Sequence, residues 1–339
     1  MAATPLLAGL VVLVAACAAA GQDERVRLVP EIDGDLWHIS NNPDLGELTG
    51  EKQQPVDHAI FQSTDGKWHL WSCVRGTKIG RLFFHWEGDS LEQEYWRPVG
   101  IAMRADRARG ESIEDWGGQE WLQAPHVIIK DGLYHMLYGG HRSETGESQI
   151  CLATSEDGRS FERYQGERGY SRLFIGPGEA RDPMVIKVGE QYLCYYAGHD
   201  TGQREPGKFY CRTSTDLIHW SEPQAVCWGG SGGYGAWHCE CPFVVHLKGY
   251  YYLFRTSRYR PAVTHVYRST DPFDFCLDDD AKKICELKVS APEVVRVGAQ
   301  YYISSVEDLS GGIQLGRLRW VADTARPGER KWGQGGEQP

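Results

Sequence analysis

Hydrophobic and polar positions along this chain fall into short alternating runs broken by glycine turns, and the same arrangement comes round five times. Each unit opens on a turn residue or an acid, passes through a few apolar positions, turns at a glycine and returns through an aromatic run. The first unit reads Asp57-His58-Ala59-Ile60, then Asp65-Gly66-Lys67-Trp68-His69-Leu70-Trp71. The second is Ala124-Pro125-His126-Val127-Ile128 followed by Asp131-Gly132-Leu133-Tyr134, and the third is Asp182-Pro183-Met184-Val185-Ile186 followed by Gly189-Glu190-Gln191-Tyr192. Pro242-Phe243-Val244-Val245 with Lys248-Gly249-Tyr250-Tyr251-Tyr252, and Ala291-Pro292-Glu293-Val294-Val295 with Gly298-Ala299-Gln300-Tyr301-Tyr302, complete the set. Two short strands joined by a glycine turn make a hairpin. Taking His58, Pro125, Pro183, Pro242 and Pro292 as equivalent, the steps are 67, 58, 59 and 50 residues. That period fits one four-stranded propeller blade with its loops. A third strand follows in most units and ends in a Ser/Thr-Asp turn, as in Leu152–Gly158, Cys211–Asp216 and Tyr267–Pro272.

The expected fold is therefore all-β, a five-bladed β-propeller over roughly residues 30–322, with no second domain after it. The Gly-, Arg- and Gln-rich stretch 323–339 reads as a disordered tail. In such a ring the first strand of each blade lies nearest the axis, so residues that open those strands meet at one end of the channel.

The start of the chain reads differently. Leu6 to Ala16 are almost wholly apolar, too short a run to span a bilayer. Residues 1–20 are read as a signal peptide. Val14-Ala15-Ala16-Cys17 resembles a lipoprotein box, which would place a lipid on Cys17; Ala18-Ala19-Ala20 before Gly21 resembles an ordinary cleavage site. The expectation is an exported protein, whether periplasmic, outer-membrane-anchored or extracellular, with membrane contact only through Cys17. Nine cysteines follow Cys17. An odd number leaves at least one without a partner; Cys276 with Cys285 and Cys194 with Cys211 are the pairs the strand plan suggests. Cys239 and Cys241 flank Glu240, and a regular pleat would send both to the face opposite it. A net charge of −10 argues against nucleic acid and fits a neutral sugar.

Three of the five units place an acid at the mouth of the inner strand: Asp57, Asp182 and Glu240. The other two carry Ala124 and Ala291 there. Three acids facing one another across a narrow channel serve no structural need, and like charges at that range raise at least one carboxyl pKa, which suits a proton donor. Trp37, Trp121 and Trp237 precede blade mouths and offer flat faces for sugar stacking. Arg181, His141, His199, Arg255 and Arg258 lie near strand ends, where they could bind hydroxyls or a carboxylate.

On these residues the chain resembles the five-bladed propeller glycoside hydrolases of families 43 and 32. The resemblance implies that Asp57 acts as base or nucleophile. It makes Asp182, within Arg181-Asp182-Pro183, the residue that orients the sugar and tunes pKa. Glu240, within Glu240-Cys241-Pro242, becomes the general acid. The chain departs from family 32 at blade one, where Val56-Asp57-His58-Ala59 replaces an Asn-Asp-Pro-Asn-Gly type motif, and it lacks the β-sandwich usual there. The implied function is hydrolysis of a glycosidic bond, exo-acting on a pentoside, fructoside or related plant or algal oligosaccharide. Two other readings stay open: a propeller phosphorylase, which would need Arg, Lys or His lining an anion site, and a non-catalytic carbohydrate-binding propeller. No metal or cofactor is required. Calcium remains possible, since some relatives hold calcium or a water near the channel centre, but no contiguous calcium loop is present.

Overall fold

The computed structural model describes residues 26–113, 117–306 and 311–325. Among them, helix is confined to four three-residue 3-10 turns, and the strands form five sheets arranged as the five blades of a propeller. Blade one runs outward through Gln54–Gln62, Trp68–Thr77, Gly80–Gly88 and Arg97–Met103. Blade two is built on Gln123–Lys130, Leu133–Arg142 and Ser148–Ser155, and blade three on Arg181–Val188, Gln191–Gly198, Lys208–Ser214 and Gln224–Trp228. Blade four uses Glu240–Leu247, Tyr250–Tyr259, Ala262–Ser269 and Lys283–Leu287. Blade five takes three strands from the end of the propeller, Val294–Val297, Gln300–Val306 and Ile313–Ala322, and its outermost strand from the beginning, Leu28–His38. The ring is closed by that antiparallel pairing, with Leu28 opposite Ala322.

The second strand of a blade is covered on both faces. Accordingly Trp68-His69-Leu70-Trp71-Ser72-Cys73-Val74 is buried without a break, where a half-exposed strand would alternate. Burying a Leu- or Phe-sized side chain contributes about 1.5–3 kcal/mol each. The large buried aromatics, among them Trp96, Tyr138, Tyr195, Phe209 and Phe254, supply most of that between the blades. Trp37 belongs to this packing: its indole donates to the Leu91 carbonyl at 3.0 Å and its ring meets Tyr302 edge-on, and it does not reach the channel mouth.

The blade mouths share one backbone device. Ala124, Asp182, Cys241 and Ala291, each just before a proline, all have φ between 40 and 56°. In blades one to four the register of the innermost hairpin also slips at this point, between Pro55 and His58, Gln123 and His126, Arg181 and Met184, and Glu240 and Phe243. A non-glycine residue held there costs about 1–3 kcal/mol, and a bulge re-aims the side chains beside it. Cys241 shows the effect: it does not point away from the acids but lies among them, contrary to the expectation from a regular pleat.

The suggested cysteine pairs do not form either. Cys194 stands opposite Arg212 and Cys211 opposite Tyr195. Cys285 faces Val266, while Cys276 crosses to blade three and pairs with Cys227 in a two-residue parallel stitch. All nine are free thiols. Asp323, expected in the tail, is buried and bound to Arg268 at 2.7 Å. Residues 1–20 with Cys17, and the tail from 326 onward, lie outside the described residues.

Candidate active site

The starts of the inner strands and the ends of the second strands open together into one cavity of about 680 Å³. Asp57 comes from blade one, Arg181 and Asp182 from blade three, and Glu240 from blade four, and all four line it. Asp57 and Asp182 are nearly sealed from solvent and Glu240 is mostly buried. Carboxylate oxygens of Asp57 and Asp182 and the Cys241 sulfur lie within 4.8 Å of one another.

Each acid is held by different partners. Asp57 Oδ1 accepts from the Tyr259 hydroxyl at 2.6 Å and from the Cys241 thiol at 3.2 Å. Its other oxygen has no hydrogen-bond partner among the described residues and is left for a reacting group. Asp182 Oδ2 accepts from the Cys241 amide at 3.1 Å. Glu240 Oε1 is bound by Arg181 Nη2, and the same guanidinium reaches to 3.8 Å from Asp182.

These surroundings drive the three titrations apart. Burial alone would raise the Asp57 carboxyl, but the Tyr259 hydroxyl, the charges of Arg81 and Arg75 and the Cys241 thiol outweigh it, so Asp57 is lowered and stays ionised. Burial pushes Asp182 up to about 8; the charges of Asp57 and Glu240 add to this, against Arg181 and the Cys241 amide. Glu240 is also raised, by burial and then by Asp57, even though Arg181 favours its charged form. One lowered carboxyl facing two raised ones is the pattern acid–base chemistry needs. The site of the shared proton belongs to the cluster as a whole.

Around the acids, Trp121 stacks on His141 with ring centroids 5.1 Å apart, and burial, then Arg142 and Arg81, lower His141 to about 3, which keeps it neutral. Trp237 is 51% exposed at the pocket edge, with Arg181 at 4.8 Å and Arg204 at 5.5 Å from its ring. Sequence reasoning missed Tyr259, Arg75, Arg81, Arg204, Arg260 and the role of Cys241. Most of these sit where a second strand ends or a third begins, and the Arg258-Tyr259-Arg260 run after blade four's aromatic strand was their one visible sign.

Two expected binding residues lie elsewhere. His199 faces a neighbouring hollow of about 240 Å³, and its Nε2 accepts from the Glu179 amide at 3.1 Å. Arg255 is wholly buried, donating to the carbonyls of His238 at 2.8 Å, Gly229 at 2.8 Å and Gly233 at 2.9 Å. A Cβ on Gly232 would stand 2.4 Å from its guanidinium carbon, so glycine is required there. Arg255 thus pins the loop that carries Trp237, His238 and Glu240 to the pocket. Arg255→Met strands three carbonyls and is expected to cost about 3–5 kcal/mol, read as a lower midpoint of urea unfolding. A midpoint equal to that of the parent would refute this role.

The thiol of Cys241 is a soft ligand. With the carboxylates of Asp57 and Asp182 it makes a group of three potential metal ligands among the described residues.

The family model for the glycosyl hydrolases family 32 N-terminal domain matches residues 57–284, more than half of the chain. The chain belongs to this family. As a family 32 chain it is also 26% identical over 226 residues to a protein of Aspergillus clavatus named probable arabinan endo-1,5-alpha-L-arabinosidase A. The match covers 66% of this chain and 63% of that relative, so this family 32 chain spans less than two thirds of the relative's length. Among solved structures it is similar in fold to a thermostable family-43 glycoside hydrolase, with TM-score 0.57 and 18% identity over 88% of this chain and 98% of the other. It is similar as well to a family 32 β-fructofuranosidase of Bombyx mori, with TM-score 0.57 and 16% identity over 87% of this chain and 63% of that one. At these identities the likeness is one of fold.

Proposed function

We infer that this protein is a glycosidase that hydrolyses a glycosidic bond, with Glu240 as proton donor, Asp57 as the carboxylate that activates water, and Asp182 positioning the sugar and shaping the field between them. The observation that carries this reading is the convergence of the three carboxyls, from blades one, three and four, on one pocket, with Asp57 lowered and Asp182 and Glu240 raised by their surroundings. Glu240 gives its proton to the leaving oxygen as the C1–O bond breaks. Water adds to C1, and Asp57 takes the proton the water gives up. Trp121 and Trp237 supply apolar faces for the sugar, and the neutral His141 and the Arg181 guanidinium are placed for its hydroxyls. The relative named for arabinan supports a pentose-containing oligosaccharide, and although that relative's name says endo, exo action in the pocket is the reading we propose here.

Inversion is the expected stereochemistry, since the blade-one sequence departs from the family 32 form. Proton NMR of the first-formed anomer tests this, and retention would assign Asp57 as a nucleophile instead. The pH dependence follows from the same groups. Asp57 must be ionised, and because it is lowered, kcat/KM should fall on the acid side only below its ordinary value of 3.8. The proton donor must be protonated, and because Glu240 is raised, activity should persist above its ordinary value of 4.5 and fall as pH rises through the raised one. Asp182→Asn removes a neighbouring carboxyl that is itself pushed up to about 8, and should shift this alkaline limb. An alkaline limb unmoved in this variant would separate Asp182 from the titration.

A further inference from the structure

The pocket is more basic than the chain that builds it. The sequence as a whole carries −10, yet six arginines line the cavity against four acids. Two of the six are used internally: Arg181 binds Glu240, and Arg204 reaches Glu179 at 3.6 Å. Arg75, Arg81 and Arg258 make no ion pair among the described residues. Arg81 lies over Trp121 at 4.5 Å, and Arg75 lies 6.0 Å from the centre of the Tyr259 ring, whose hydroxyl binds Asp57. Arg75 is thus near enough to Asp57 for its charge to help lower that carboxyl. Arg258 precedes Tyr259 at the same strand end, exposed at the mouth.

Arg75 and Arg81 have one evident task, since their charge helps keep Asp57 ionised. Arg258 lines the pocket as an exposed residue and forms no ion pair among the described residues. The hydroxyls of a neutral sugar ask for single hydrogen bonds, whereas the planar fork of arginine matches an oxyanion in two parallel bonds.

We propose that the substrate is an oligosaccharide whose sugar next to the cleaved bond bears an oxyanion, a carboxylate or a sulfate ester, gripped by Arg258 together with Arg75. This rests on the hydrolase reading above and narrows its substrate class.

The test uses the purified full-length protein and matched pairs of oligosaccharides. One arm pairs a uronate with its neutral hexose counterpart; the other pairs a sulfated sugar with its desulfated form. Turnover and calorimetric binding are both recorded. One charge-assisted fork should favour the anionic member of the preferred pair by about tenfold to a hundredfold in kcat/KM or in affinity. That ratio should shrink with added salt and collapse toward one in Arg258→Gln and Arg75→Gln. Which arm shows the preference separates carboxylate from sulfate. Equal or better cleavage of the neutral members overturns the proposal while leaving the hydrolase reading intact. Arginine-dependent binding of the anionic members without turnover supports the proposal and removes the hydrolase reading instead. Turnover of a neutral sugar that requires inorganic phosphate and yields a sugar 1-phosphate assigns the arginines to phosphate and overturns it, as does binding of neither member of any pair.

Discussion

Glu240→Gln is expected to lower turnover of an unactivated glycoside by about 10²–10⁴-fold, the range general acid help is worth, while substrate binding is nearly retained. Gln keeps the shape and can still accept from Arg181, but it has no proton to give. The loss should depend on the leaving group. An aryl glycoside whose phenol leaves readily as the anion needs little protonation and should be cleaved at close to the parent rate, so a plot of log kcat against leaving-group pKa should become steeper in the variant. Steady-state kinetics on a graded aryl series measures this directly. Full activity of Glu240→Gln on an unactivated sugar would end the assignment of Glu240 and with it the mechanism.

Asp57→Asn should behave differently. The carboxylate that activates water is needed whatever group departs, so all substrates should lose a similar factor, again about 10²–10⁴. The fold keeps both hydrogen bonds available to the amide oxygen, from Tyr259 at 2.6 Å and from the Cys241 thiol at 3.2 Å, so the variant should remain folded and able to bind. A small anion such as azide can take the place of the activated water in the emptied, uncharged position, and recovery of turnover as the glycosyl azide would identify Asp57 by its chemistry. Loss confined to poor leaving groups would instead make Asp57 a proton donor and reverse the two roles.

Much of this was legible in the sequence because it depends on local repeats. The glycine turns at Gly66, Gly132, Gly189, Gly249 and Gly298 mark five hairpins, and a ring of five follows from counting them. Asp57, Asp182 and Glu240 could be read as one group because the ring brings equivalent positions together. What could not be read depends on register and on bulges, which leave no trace in the pattern of hydrophobic residues. Cys241 turns toward Asp57 because its own φ is 49° and the hairpin slips a residue there. In the facing strand a second slip between Thr256 and Arg258 resets which residues of 257–260 meet the pocket. Arg255, only a few positions earlier, is swallowed by the loop at 229–238. His199 was misplaced for a related reason: the turn after its strand folds back on Glu179, behind the pocket wall. The arginine lining was hidden by composition, since a chain with a surplus of acids gives no hint that its cations gather in one place.

Ring closure by the first strand has a practical bearing on how the protein can be handled. Inner strands run away from the pocket, second strands run back toward it and third strands away again, so Ile313–Ala322 ends on the far side of the disc. Leu28–His38 runs antiparallel to it and therefore begins on that same far side, with Asp323 donating its amide to the Arg27 carbonyl. Both ends of the propeller thus leave from one spot behind the disc. A tag, a fused module or a tether to a bead or a membrane, joined at either end, would hold the disc from its back with the opening turned outward to polymer in solution.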